Sequence, residues 1–223
     1  MPKKPRIRFS ILQLLLLTLL VGSILAYKLT PKTKWEKMSV RDAFDHLEMT
    51  IKKYDPTFKP NTKPTPPEQI AQLRKELPDA PEQFFELLKF CDYTKCNLFD
   101  PIDVMALDDL KNASKAESDF FDSLGLEHEG WYPDKHGCVK PENHWREKWI
   151  PIGDFNGDPV FIDMDPTKKG IPGQIVRIHT DGWSVGVEAY SIAHWLELMA
   201  VQIENDKQFD GSAFTYHELP APR

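Results

Sequence analysis

Gly182-Trp183-Ser184-Val185-Gly186 has the G-x-S-x-G spacing of a nucleophile elbow, in which a sharp strand-to-helix turn exposes a serine hydroxyl. Asp206 and His217 lie downstream as the acid and base that such a serine needs. The context argues against catalysis. Val185, Gly186 and Val187 are poor starters for the helix that must follow at once, and 223 residues leave little room for a hydrolase sheet. A hairpin turn before a last helix explains the segment better. Asp154, Asn156, Asp158, Asp163 and Asp165 gather oxygen ligands of the kind Ca²⁺ takes. That run lacks the bidentate glutamate of an EF-hand, and Asn156-Gly157 is the usual dipeptide of a tight hairpin, so a turn without metal is expected. His128, His136, Cys138 and His144 offer nitrogen and sulfur ligands but in no standard zinc spacing. His194 and Glu197 read as a surface pair one helical turn apart. No catalytic residue, metal or cofactor is assigned.

The elements that must position these groups follow from periodicity. Val40, Ala43, Phe44, Leu47 and Ile51 recur at helical spacing over 39–53, and Ser39 with Asp42 makes an N-terminal cap. DPTFKPNTKPTPP follows, with five prolines in 13 residues, and is expected to run as a stiff spacer marking a domain boundary. A second helix is expected from Thr65, with Pro66 in its first turn and Glu68 completing a cap, and should stop near Pro78. A third starts at Asp79, with Phe84, Phe85 and Leu88 as its apolar stripe. Residues 97–148 are irregular and polar, apart from a short helical stretch over 115–124. From Trp149 the pattern becomes short β-rich runs between Gly, Asn, Asp and Pro turns, with a fourth strand over 184–188. A final helix begins at Ser191 and carries Ile192, Trp195, Leu196, Met199 and Ile203 inward. Helices, then antiparallel strands, then a closing helix make an α+β domain, the sheet packed against the helices.

The N-terminus is different in kind. FSILQLLLLTLLVGSILAY, residues 9–27, is uncharged and long enough to cross most of a bilayer core of about 30 Å. Lys3, Lys4, Arg6 and Arg8 precede it, as they would a secretory signal, but no good cleavage site follows, so a retained transmembrane anchor over 9–29 is expected. Basic residues flank the span on both sides, so the side on which the domain lies is open. The expected organisation is a basic tail over 1–8, the anchor over 9–29, a juxtamembrane helix and Pro-rich linker over 30–64, a domain over 65–210 and a tail over 211–223.

Charge narrows the partner. Residues 1–41 hold nine Lys/Arg against the single acid Glu36, leaving 19 basic and 33 acidic residues beyond. Such a surplus repels phosphate backbones, so nucleic acid is not an expected partner, and a basic toxin or an envelope protein is a better match. Cys91, Cys96 and Cys138 show no disulfide-scaffold spacing and read as ordinary thiols, with a Cys91–Cys96 bridge left open.

The block HWREKWIPIGDFNGDPVFIDMDPTKKGIPGQIVRIHTDGWSVGVEAYSIAHWLELMAVQI, residues 144–203, resembles the SUKH superfamily. The resemblance rests on Trp149 to Ile152, the turn at 153–158, Asp163-Met164-Asp165-Pro166, Gly170 to Gln174, and a Ser-initiated helix; Leu77-Pro78 between the helices over 68–90 extends it to about 65–205. It implies a non-enzymatic interaction domain, of the immunity type in bacteria and of the cell-wall-assembly scaffold type in fungi. Trp131, Tyr132, Trp145 and Trp183 are the candidate partner-binding residues, because large amphipathic rings dominate interface energetics, whereas Trp149 and Trp195 are expected in the core. The competing readings are a membrane-anchored hydrolase using Ser184 and an envelope structural protein.

Overall fold

In the computed structural model, which describes residues 37–59, 63–92, 134–140, 148–155, 158–179 and 184–207, Ser39 caps the first helix by accepting a hydrogen bond from the Asp42 amide at 3.1 Å. That helix, α1, runs Val40–Tyr54 and ends on Lys52 and Lys53, which suit the negative end of its dipole. α2 is Pro67–Glu76 and α3 is Glu82–Leu88. Both begin later than the residue pattern predicts. Pro66 and Pro81 sit at the caps with extended ψ of 136° and 147°, and neither helix has a side-chain cap. Thr65 does not cap α2, because its amide is drawn to the Leu88 carbonyl at 2.9 Å, next to a second bond from the Asp92 amide to the Lys63 carbonyl. A forked pair from Arg74 to both oxygens of Glu82, at 2.8 and 2.6 Å, joins the two helices at the surface.

β1 (Trp149–Phe155), β2 (Asp158–Asp163), β3 (Gln174–His179) and β4 (Ser184–Ala189) form an antiparallel sheet in simple sequence order. Phe155 pairs with Asp158, so the β1–β2 connection is two residues long, as the Asn156-Gly157 dipeptide predicts. Pro151 is tolerated because β1 is an edge strand and the register slips beside it, between Pro151 and Gly153. α4 closes the fold as Ile192–Asp206, with Ser191 accepting from the His194 amide at 3.2 Å.

The core lies between the helices and one face of the sheet. Phe44, Leu47 and Ile51 of α1 meet Leu196, Met199 and Ile203 of α4, with Phe84 and Leu88 of α3 and Ile150, Ile162 and Ile175 of the sheet. α1 and α4 run in the same direction, since His46 pairs with Glu197 at 2.9 Å and Lys53 with Glu204 at 3.5 Å, a step of seven residues on each helix. The helix expected beside a membrane, ahead of a domain boundary, is therefore part of the folded unit. That unit begins at Met38, upstream of the Pro-rich stretch. The physical reason is the apolar stripe of α1, which is fully buried only because α4 presents a matching one.

The expected anchor over 9–29 lies outside the described residues, and among the described residues no helix is long and apolar enough to cross a membrane. The helical stretch expected over 115–124 also lies outside them.

Candidate functional site

Asp163 ends β2 with its side chain fully buried, and its two carboxyl oxygens gather three donors. Trp149 Nε1 donates to Oδ1 at 3.0 Å, the Asp165 amide to the same oxygen at 2.9 Å, and Gln174 Nε2 to Oδ2 at 2.9 Å. Gln174 Oε1 in turn accepts from the Ile171 amide at 3.1 Å. Gly173, at φ +90°, makes the turn into β3 and donates its amide to the Asp163 carbonyl at 2.7 Å. Trp149 tilts on Phe161 with 5.1 Å between ring centres. The residues singled out by order along the chain are thus bonded to one another inside the domain.

Gly170 belongs to the same knot. A Cβ there would lie 2.6 Å from the Cys138 carbonyl oxygen and 2.7 Å from both Gln174 Oε1 and Pro166 Cβ. Gly170→Ala is expected to cost about 2–3 kcal/mol by overpacking, read as a lower urea midpoint at unchanged slope. A midpoint within experimental error of wild type would show that this turn yields freely.

The turn over 134–140 is held against that knot. Asp134 is buried and accepts from the amides of His136, Cys138 and Val139 at 3.1, 2.5 and 3.3 Å. Thr167 donates its hydroxyl to the Gly137 carbonyl at 2.6 Å. Cys138 donates its thiol to the Lys169 carbonyl at 3.6 Å, and burial, then the Asp134 carboxylate, push that thiol up to about 11. Cys138 is thus a buried, protonated thiol. Of the other candidate zinc ligands, His128 and His144 lie outside the described residues.

The aspartates read as a Ca²⁺ set part company. Asp163 holds the knot, Asp165 pairs with Lys140 at 2.5 Å, and Asp158 faces His179 at 3.3 Å from the other end of β2. Asn156 and the side chain of Asp154 lie outside the described residues.

Asp158 and His179 belong to a buried charged cluster with Arg177 and Glu188. Arg177 Nε lies 3.2 Å from Glu188 Oε1 and His179 Nε2 lies 3.8 Å from the same oxygen. The Arg177–Glu188 contact is ionic, since Nε makes no well-directed hydrogen bond. Desolvation pushes the Glu188 carboxyl up to about 7, against the pull of Arg177. A raised carboxyl means that the folded chain keeps a proton that the unfolded chain has lost. The associated stability is present below about pH 4.5 and is lost as pH rises through 7, by up to about 3 kcal/mol. Glu188→Gln is expected to flatten the fall in unfolding free energy between those limits. An unchanged profile would place the pH dependence elsewhere.

Ser184 opens β4 opposite His179. It therefore stands on a strand, not on the strand-to-helix turn of an elbow. Asp206 ends α4, where it accepts from Gln202 Nε2 at 2.6 Å, and His217 lies outside the described residues. The expected surface pair of His194 and Glu197 is not formed. His194 is buried, accepts from the Tyr190 amide through Nδ1 at 3.2 Å and stacks on the Tyr190 ring, while Glu197 turns to His46 of α1. The cause is the first turn of α4, which lies against the end of β4, whereas Glu197 is one turn on and faces α1.

A shallow apolar groove of about 250 Å³, counted out to solvent, lies between α3, β1 and the start of α4. Phe84, Leu87, Ile152, Ile192 and Trp195 line it. Gln83 sets its edge by accepting from the Ala193 amide at 3.1 Å and donating to the Met38 carbonyl at 3.2 Å. No local signal marks this groove, because its walls come from three separate segments. Trp195 and Trp149 are both buried, as expected. Trp131, Tyr132, Trp145 and Trp183, the candidate contact rings, lie outside the described residues.

The model of the SMI1 / KNR4 family (SUKH-1) matches residues 64–198, more than half of the chain and including the whole Trp149–Asp163–Gln174 knot. The chain belongs to this family. The SUKH-1 match starts just ahead of α2 and ends within α4, so α1 lies upstream of it although it shares its core. No curated protein matches the chain.

Proposed function

We propose that this SUKH-1 chain is a non-enzymatic protein-binding module, held at a membrane by residues 9–29 and contacting its partner through the rings of Trp131, Tyr132, Trp145 and Trp183. The observation that carries the reading is what the family's residues do. Trp149, Asp163, Gly170 and Gln174 bond or pack against one another and build a rigid frame, which supports a role in presenting a surface. The acidic surplus beyond residue 41 favours a basic partner through steering and specificity. A toxin neutralised by an immunity-type domain and an envelope protein held by a scaffold both meet that description.

Affinity capture with the full chain in detergent, quantified against a chain with the four rings changed to alanine, tests the proposal. A specific protein lost by at least about tenfold from the ring variant is expected, since hot-spot aromatics cost 2 kcal/mol or more each. Ser184→Ala should capture that protein undiminished. Hydrolytic turnover that Ser184→Ala abolishes would replace this reading with the enzyme.

A further inference from the structure

The acidic domain carries a basic cluster. Lys135, Lys148, Lys168 and Lys169 are exposed and Lys140 is half-buried, all on two turns and the start of β1 that backbone contacts bring together. The Thr167 amide bonds the Cys138 carbonyl at 2.9 Å, the Met164 amide the Lys148 carbonyl at 3.0 Å, and Lys169 Nζ approaches the His136 carbonyl at 3.5 Å. The acids described there offset it only in part, Asp165 taking up Lys140. Asp134 and Asp163 turn their oxygens inward onto buried donors.

The patch lies toward the end of the unit where the chain enters. Met38 is bonded to Gln83, and Pro81, two residues earlier, would stand 3.4 Å from a Cβ on Gly173, just beyond the lysine turn. The eight residues 30–37 reach at most about 30 Å, and three of them are lysines. Resting on the anchored reading above, we propose that this lysine face docks the domain onto anionic lipid headgroups beside its own anchor. Lysines near a charged leaflet act additively within a Debye length of about 10 Å, and a tether of this reach holds them at high effective concentration beside the surface. The chain's acidity elsewhere then orients the domain by repelling its other faces from the same surface.

The test uses the full chain with a protease site placed within 30–37, reconstituted into vesicles of phosphatidylcholine alone or with about 30% phosphatidylserine, then cut and floated. The anchor fragment should float with both, and the domain only with the anionic vesicles, leaving them as salt rises from about 0.05 to 0.5 M. K168E/K169E, at two exposed turn positions, should lower domain retention by about tenfold or more at unchanged circular dichroism. A fragment that floats while the domain leaves both vesicles overturns the docking and spares the anchor. A fragment that floats with neither, beside a domain held by anionic vesicles through the two lysines, overturns the anchor and spares the docking. Retention equal in K168E/K169E, or lysine-dependent capture on poly-glutamate without capture on lipid, overturns the lipid assignment, the latter in favour of an acidic protein.

Discussion

Replacing Asp163 with alanine is expected to lower the unfolding free energy by about 3–5 kcal/mol, the largest single effect of any polar substitution described in this domain. The side chain is fully buried, and its removal strands three donors, the Trp149 indole N–H, the Gln174 amide and the Asp165 backbone N–H. Each stranded donor costs about 1–3 kcal/mol. Asp163→Asn is the sharper control. It nearly preserves volume but presents one NH₂ to a set of donors, so it is expected to lose roughly 2 kcal/mol by polarity alone. Chemical denaturation followed by far-ultraviolet circular dichroism reads both. Stability within about 1 kcal/mol of wild type for the alanine variant would mean that the knot is ornamental and that the family's residues serve something other than the frame.

Phe44→Ala is expected to cost about 3–5 kcal/mol and to shift the single unfolding transition of the whole unit. Phe44 is 1% exposed, meets Phe90 edge to face at 5.0 Å between centres, and sits on the seam between α1 and α4. A cavity there loosens α4, and through α4 the sheet. The alternative is a detachable α1 beside an independent SUKH-1 core, and it makes a different forecast. Phe44→Ala would then split unfolding into two steps, with tryptophan signals from the sheet unmoved by the first.

How much was legible in the residues themselves depends on whether the deciding interaction is local. Ser39 with Asp42 and Ser191 with His194 name their helix starts, because a cap is completed within one turn. Asn156-Gly157 names its hairpin for the same reason. Pro66 and Pro81 mislead, since a proline fits the first turn and the cap equally well, and what decides at Thr65 is a bond to Leu88, 23 positions away. His194 looks like a surface partner for Glu197 because a turn of helix puts them side by side. Burial against Tyr190 is a property of how α4 meets β4, which no spacing encodes.

The residues alone settled the class of the domain, the number and order of its strands, the closing helix and its family. All but the family follow from periodicities and turn chemistry that act over a few positions; the family came from the resemblance of an ordered run of residues over 65–205. Only the tertiary structure decided that α1 belongs to the core, that Asp163 bonds Trp149 and Gln174, and that five lysines separated by up to 34 positions lie on adjoining turns. Those facts depend on which apolar stripes find each other and on which buried donors must be satisfied, and both are set by the packed chain as a whole.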